Sequence, residues 1–450
     1  MTIWQPQIDA DRGPAYLQVV ETLGRDILEG HLRPGDRLPP QRDLASSMGV
    51  TVGTVTRAYQ LAARRGLVSG EIGRGTYVRP LPGPDDAALL DLSLNALPPH
   101  AHVAELAGRL EIRADANRTA LLDYPPRAGR EEHRAAGADW IARREVRVSP
   151  SQVLVTIGAQ HALSLALATI VERGSPILVE ELTYAGIVAA ARLLGSPIVP
   201  VSLDAEGMRA GALRDAARES GAKAVIIQPS LHNPTGVSMS ADRRAEILEA
   251  IRGEQLAVVE DDTYGFLTPE FRPLVADLDG PWCYVTGLSK SLAAGFRTGF
   301  LATSPSVFDR AAAAMFATAV AASPISAELA VSLIVDGTAD RIVAWKRGEV
   351  RARMAMARRL LPDVPTATHD ASPHVWLPLA RPWRAAAFVA AARSRGIVLG
   401  PTESFLGRPG AVPRAVRISL APPRTRARLE AALESLAGIA SAAPLPSPTV

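Results

Sequence analysis

Between positions 153 and 290 the chain repeats one pattern, a short apolar run followed by a helical or loop stretch. VLVTIGA (153–159) precedes a helix from about Gln160, and PILVE (176–180) precedes one from about Tyr184. PIVPVSL (197–203), AVIIQPS (224–230), LAVVEDD (256–262) and WCYVTGLS (282–289) continue the series. Apolar runs of this length without polar alternation are strands buried on both faces. Their alternation with helices specifies an α/β fold with a mostly parallel sheet covered on both sides. In such folds ligands sit at the carboxyl ends of the strands, so the residues just after each run are the first place to look for chemistry.

At 450 residues the chain is long enough for more than one domain. No run approaches the ~18 apolar residues of a membrane-spanning helix, and MTIWQPQIDADRGP lacks the basic-then-apolar order of a secretory signal. Cys283 stands alone, so no internal disulfide forms, and the apolar run WCYV makes it a buried strand residue. These features predict a soluble cytoplasmic protein with no membrane partner.

The first 79 residues read as a separate unit. Leu17, Val20, Leu23, Ile27 and Leu28 recur at helical spacing, with Gly30 placed to end the helix. RPGDRLPP (33–40) is a turn, and Gln41 to Met48 forms a short helix closed by Gly49. Thr51 is an N-cap for a third helix through about Arg65, and GLVSGEIGRGTYVRP holds two β-prone runs with Arg74 at their glycine-rich tip. Residues 1–36 carry three arginines against six acids, whereas residues 37–79 carry seven arginines against two. Such polarity marks a face for a polyanion, and the element order is that of a winged helix-turn-helix.

LRPGDRLPPQRDLASSMGVTVGTVTRAYQLAARRGLVSGEIGRGTYV resembles the DNA-binding domain of the GntR regulator family. The resemblance implies that Arg42, Thr54, Thr56 and Arg57 face operator DNA and that the wing around Arg74 touches its backbone or minor groove. Val52 stands where many members place an arginine, which reduces bidentate base readout there. PLPGPDD (80–86) begins a linker assigned to 80–87, a second domain spans 88–437, and SAAPLPSPTV ends a tail assigned to 438–450.

The strand ends of the second domain carry Gly158-Ala159-Gln160, Tyr184, HNPTG (232–236), Asp261 with Tyr264, and GLSK (287–290). Lys290 is one of three lysines in a chain with 46 arginines; Lys223 and Lys346 are the others. An arginine never sheds its proton in a protein, whereas a lysine can become a free amine and condense with a carbonyl. His133, His161, His232 and His374 show no metal-binding spacing and read as structural or peripheral.

Taken together these residues resemble the fold-type I pyridoxal-phosphate enzymes, the aspartate aminotransferase superfamily, over about residues 88–437. The resemblance implies a large α/β domain with a smaller C-terminal α+β subdomain and pyridoxal 5'-phosphate as cofactor. It gives Lys290 the internal Schiff base and Asp261 the pyridinium nitrogen. Asn233 and Tyr264 would bond the ring's phenolic oxygen, and Tyr184 would stack on its face. Ala159, Gln160, Ser289 and Arg297 would hold the phosphate, with Tyr124 reaching the phosphate of a partner subunit. Arg417, in AVRISLA, matches the arginine that clamps a substrate carboxylate. Two departures are Gly287, where many relatives carry a phosphate-binding serine, and LSLNALPP (92–99), which lacks a glycine that relatives often place beside the substrate.

The combined architecture is similar to the MocR subfamily of bacterial regulators. It implies a homodimeric transcription factor that senses an amino compound, an amino acid in first place, through an external aldimine. A working aminotransferase with a DNA-binding appendage, and a regulator whose ligand is pyridoxal phosphate itself, are the alternatives.

Overall fold

The computed structural model describes residues 4–6, 8, 13–28, 31–33, 35–64, 67–71, 75–78, 89–97, 120–361 and 363–442. Gly30, Arg74 and the linker at 80–87 lie outside the described residues. The chain divides into two compact units, one drawn mainly from residues 1–90 and a larger one built on 112–422.

In the N-terminal unit α1 (Ala15–Leu28), α2 (Gln41–Met48) and α3 (Val52–Arg64) precede a hairpin of β1 (Val68–Glu71) and β2 (Gly75–Val78). The helical stripe read from the sequence is the buried one: Val20, Leu23 and Ile27 pack with Leu44, Val55, Ala58, Tyr59, Val68 and Val78. Gly49 ends α2 in the left-handed region at φ 66, and Val50 reaches back to the Ala45 carbonyl at 3.0 Å. Thr51 caps α3, its Oγ1 accepting from the Thr54 N–H at 3.2 Å. Thr56 Oγ1 lies 2.7 Å from Gln41 Oε1 and so ties α3 to the start of α2, fixing the angle of the helix-turn-helix. At Gly75, φ 124, an added Cβ would lie 2.7 Å from Arg37 Nε, so the hairpin can close on Arg37 through glycine alone.

The larger unit is organised by one seven-stranded sheet. Its strands are β3 (Val153–Thr156), β4 (Ile177–Glu180), β5 (Ile198–Val201), β6 (Ala224–Ile227), β7 (Ala257–Asp261), β8 (Trp282–Gly287) and β9 (Gly299–Thr303). They lie in the order β3-β9-β8-β7-β6-β4-β5, and only β9 runs against its neighbours. β3, β4, β6, β8 and β9 are buried along their whole length, which is why they read as continuous apolar runs. Cys283 lies in β8, fully buried, as its neighbours imply. The reversal of β9 has a functional result. It pairs Gly299 with Gly287 and with Thr156, so the segment entering β9 arrives at the same sheet end as the loops leaving β3 and β8.

The helices after β3 and β4 start close to where the sequence places them, at Gly158 and Ala185, with Tyr184 as the N-cap of the second. An antiparallel pair, His374–Pro378 with Ala415–Ser419, and the helices Thr338–Leu360 and Ala385–Ser394 form the smaller C-terminal α+β part. The last helix among the described residues is Arg426–Ser441. Leu436 and Ile439 on it are both buried. Among the described residues no helix is long and apolar enough to cross a membrane.

Candidate functional site

Lys290 sits in the single turn Leu288–Ser291 that leaves β8, and its Nζ donates to the main-chain oxygen of Asn95. Burial, then the like charges of Arg417 and Arg297, lower its ammonium from the usual lysine range to about 8, with Asp261 pulling the other way. About 10% of an amine with that pKa is uncharged at pH 7, against ~0.03% for an ordinary lysine. The position thus supplies a usable nucleophilic amine near neutrality.

Asp261 ends β7. Burial raises its carboxyl to about 6, and bonds from the Thr263 hydroxyl and N–H oppose the rise, while Asp262 and Glu180 add to it. Directly behind it Asp262 is locked by Arg144 Nε at 2.9 Å and the Tyr284 hydroxyl at 2.7 Å. That buried network gives the strand end a fixed geometry.

Facing these groups is a wall brought from distant parts of the chain. Arg417 is buried; it donates through Nη1 to Asn233 Oδ1 at 2.9 Å and through Nη2 to the Ser93 carbonyl, and its guanidinium lies 4.7 Å from the Phe405 ring centre. Its Nε is buried with no hydrogen-bond partner. His374, read from the sequence as structural or peripheral, is part of this wall. Its Nδ1 accepts from Asn95 Nδ2 at 2.8 Å and its Nε2 donates to the His232 carbonyl at 3.1 Å, which fixes one neutral tautomer. Burial and the nearby Arg417 lower it to about 3, so the ring stays uncharged. Asn95 in turn accepts from Ser419 Oγ at 2.8 Å. The Tyr264 ring meets His374 edge-on at 6.0 Å, and burial raises its phenol well above the usual range. Tyr184 is raised by burial and by Asp261, with Arg417 and Arg297 opposing, so all these groups share one space.

Where β3 and β8 end and β9 begins, small residues predominate. Gly158 opens a helix at φ +76, and a Cβ there would lie 3.1 Å from the Arg297 guanidinium. A Cβ on Gly287 would lie 3.0 Å from that of Ala159, so the glycine found where relatives carry serine follows from this close approach. The first N–H groups of the helix Gly158–Ile170 have no intrahelical acceptor. Ser289 Oγ and Gln160 Oε1 are buried without a hydrogen-bond partner among the protein groups.

The structure therefore gathers Ala159, Gln160, Tyr184, Asn233, Asp261, Tyr264, Ser289, Lys290, Arg297 and Arg417 around one end of the sheet. Tyr124 is 88% exposed, so it projects away from the core of its own chain. Asn95 was not singled out within LSLNALPP, because its place depends on a bond to a residue 279 positions away. In the N-terminal unit Arg42 is exposed, Thr54 Oγ1 lies 2.9 Å from Thr51 Oγ1, and Arg57 lies 4.1 Å over the Tyr16 ring. No group of three or more metal-ligating side chains occurs among the described residues.

Residues 88–436 match the family model for aminotransferase class I and II. The chain belongs to that family. As an aminotransferase-family protein it also carries, at residues 15–78, a match to the gntR family of bacterial regulatory proteins. An HTH-type transcriptional regulator of Bacillus subtilis, YdeF, is 29% identical over 96% of this chain and 95% of its own length. The vitamin B6 salvage pathway transcriptional repressor PtsJ of Salmonella typhimurium is 30% identical over 65% of this chain and 68% of its own. Among solved structures, an archaeal alanine:glyoxylate aminotransferase superposes with a TM-score of 0.72 at 24% identity, covering 79% of this chain and 91% of that one, which supports the fold. A GntR head on an aminotransferase-family body is the MocR arrangement that the sequence resembles.

Family and fold indicate pyridoxal phosphate, and the residues present fit it. The unpaired Ser289 hydroxyl, the open helix terminus and Arg297 suit a phosphate dianion. Lys290 offers the amine, and Asp261 a buried carboxylate.

Proposed function

We propose that this chain is a MocR-type, DNA-binding transcriptional regulator whose aminotransferase-family domain holds pyridoxal phosphate and responds to an amino compound, an amino acid in first place. The observation that carries the reading is Lys290. It is a lysine in an arginine-dominated chain, lowered to about 8 and set among Asp261, Arg297 and Arg417, in the same polypeptide as a GntR head.

When bound, the cofactor supplies an aldehyde and an electron-withdrawing ring. Lys290 would hold it covalently through its amine, and Asp261 would keep a proton on the ring nitrogen. Ala159, Gln160, Ser289 and Arg297 would take the phosphate, Tyr184 would cover the ring face, and Asn233 with Tyr264 would orient its oxygen. Arg417, with an unpaired Nε, would receive the carboxylate of an amino-acid ligand. Arg42, Thr54, Thr56, Arg57 and Arg74 would face DNA. Tyr124, exposed in its own chain, would complete the site of a second copy, which makes the working form a homodimer. Ligand binding would then act on DNA by favouring one of two states of that dimer.

Two other readings have support. Lys290, Asp261 and Arg417 are the groups a working aminotransferase needs, so multiple turnover with a keto acid would place the chain among enzymes. The relative named for vitamin B6 salvage supports a regulator whose ligand is the cofactor itself. The experiment that tests the assignment is borohydride reduction of the purified protein followed by peptide mapping. The adduct is expected on Lys290 and is lost in Lys290→Ala; an adduct on Lys223 or Lys346 instead would refute it.

A further inference from the structure

Two of the three lysines in this chain meet. Lys346, on the helix Thr338–Leu360, is 2% exposed, and its Nζ donates to the Lys290 carbonyl at 3.0 Å and to the Leu292 carbonyl at 2.6 Å. Both carbonyls lie at the end of the single turn Leu288–Ser291, which is too short to pair them within itself. Lys346 therefore fastens the main chain that carries the reactive amine to a long helix.

The choice of residue type matters, because this chain uses arginine for 46 of its 49 basic positions. An arginine at 346 would bring five N–H donors to a pocket with two acceptors and would stay charged beside Lys290. A neutral lysine amine has two N–H groups, and the two carbonyls take both. Burial, and then the charge of Lys290, lower the Lys346 ammonium to about 7, so this uncharged form is within reach. The ionisable groups bearing on Lys290 are Arg417 and Arg297, which oppose its charge, and Asp261, which favours it. A third fixed cation would upset that balance.

We propose that Lys346 is a positioning residue for Lys290, holding the turn that presents the reactive amine without placing a permanent positive charge beside it. The inference rests on Lys290 being the cofactor-linked residue. The full-length protein, freed of cofactor, is pulsed with acetic anhydride across a pH series, and acetylation of Lys290 is read by mass spectrometry against exposed Lys223 as internal standard. In parallel, pyridoxal phosphate is added and the Lys290 adduct trapped with borohydride. Lys346→Met, which offers no donor, is expected to slow trapping about tenfold, in line with the loss of two hydrogen bonds that hold the turn. Lys346→Arg is expected to lower the midpoint of Lys290 acetylation by about one pH unit through added like charge. Lys346→Gln, neutral and with two N–H donors, is expected to stay nearer to the wild type than either. If Met does not fold, the comparison of Gln with Arg decides. Arg or Met behaving as wild type in both readings, or Gln matching Arg, overturns the proposal. Failure to trap Lys290 in the wild type would instead overturn the assignment of Lys290 itself.

Discussion

Replacing Asp261 by asparagine should make the cofactor-free protein more stable and its hold on pyridoxal phosphate weaker. Burial raises the Asp261 carboxyl from 3.8 to about 6. The folded state therefore holds this proton more tightly than the unfolded chain does, and folding loses stability as pH rises through that window. The loss begins near pH 4, is about half complete near pH 5 and is complete above pH 6, where about 2 pH units correspond to about 3 kcal/mol. Asparagine carries no such penalty. Asp261 is only partly shielded from solvent, and the change weakens the acceptor that Thr263 uses, so the net gain should be about 1–3 kcal/mol at pH 7. Differential scanning calorimetry of the cofactor-free protein should show a melting point about 1–4 °C above wild type at pH 7, and roughly half that gain at pH 5. Equilibrium dialysis should show weaker cofactor binding in the same variant. A gain of equal size at both pH values, or none at pH 7, would show that burial of the carboxylate is not the cause.

Capture of pyridoxal phosphate by the cofactor-free protein, followed by absorbance, should quicken as pH rises and level off above about 8, where Lys290 has shed its proton; a midpoint near that of an ordinary lysine would contradict the burial argument. Gly158→Ala puts a side chain at φ +76, 3.1 Å from Arg297, and should weaken cofactor binding about tenfold through displacement of that guanidinium and ~1–2 kcal/mol of backbone strain, measured by dialysis. Arg42→Ala should weaken operator binding at all salt concentrations and reduce the salt slope by about 1, with an unchanged cofactor spectrum; an unaltered slope in a mobility-shift titration would remove Arg42 from the interface.

The fold was legible because local pattern and tertiary role coincide. β3, β6 and β8 are buried on both faces, so their sequence contains little but apolar residues, and each is followed by the group it presents. The groups that reach the site from elsewhere could not be read this way. Asn95 sits in an irregular segment, and its contacts with Lys290, His374 and Ser419 span separations of 195, 279 and 324 residues. His374 belongs to a short antiparallel pair whose partner strand carries Arg417, so its position follows from the register Trp376↔Arg417 and from no local motif. In the N-terminal unit the cap at Thr51 was visible in sequence, whereas the stacking of Arg57 on Tyr16 needs α1 and α3 to be packed first.

The central claim is that one chain couples an amino compound to DNA. Its most direct test is fluorescence anisotropy of labelled operator DNA with the cofactor-loaded protein, titrated with and without a cognate amino acid found by its shift of the cofactor absorption band. The amino acid should change operator affinity by some factor, operator should change amino-acid affinity by the same factor, and Arg417→Ala should weaken both. Rapid multiple turnover of that amino acid, with operator affinity indifferent to it, would contradict the account.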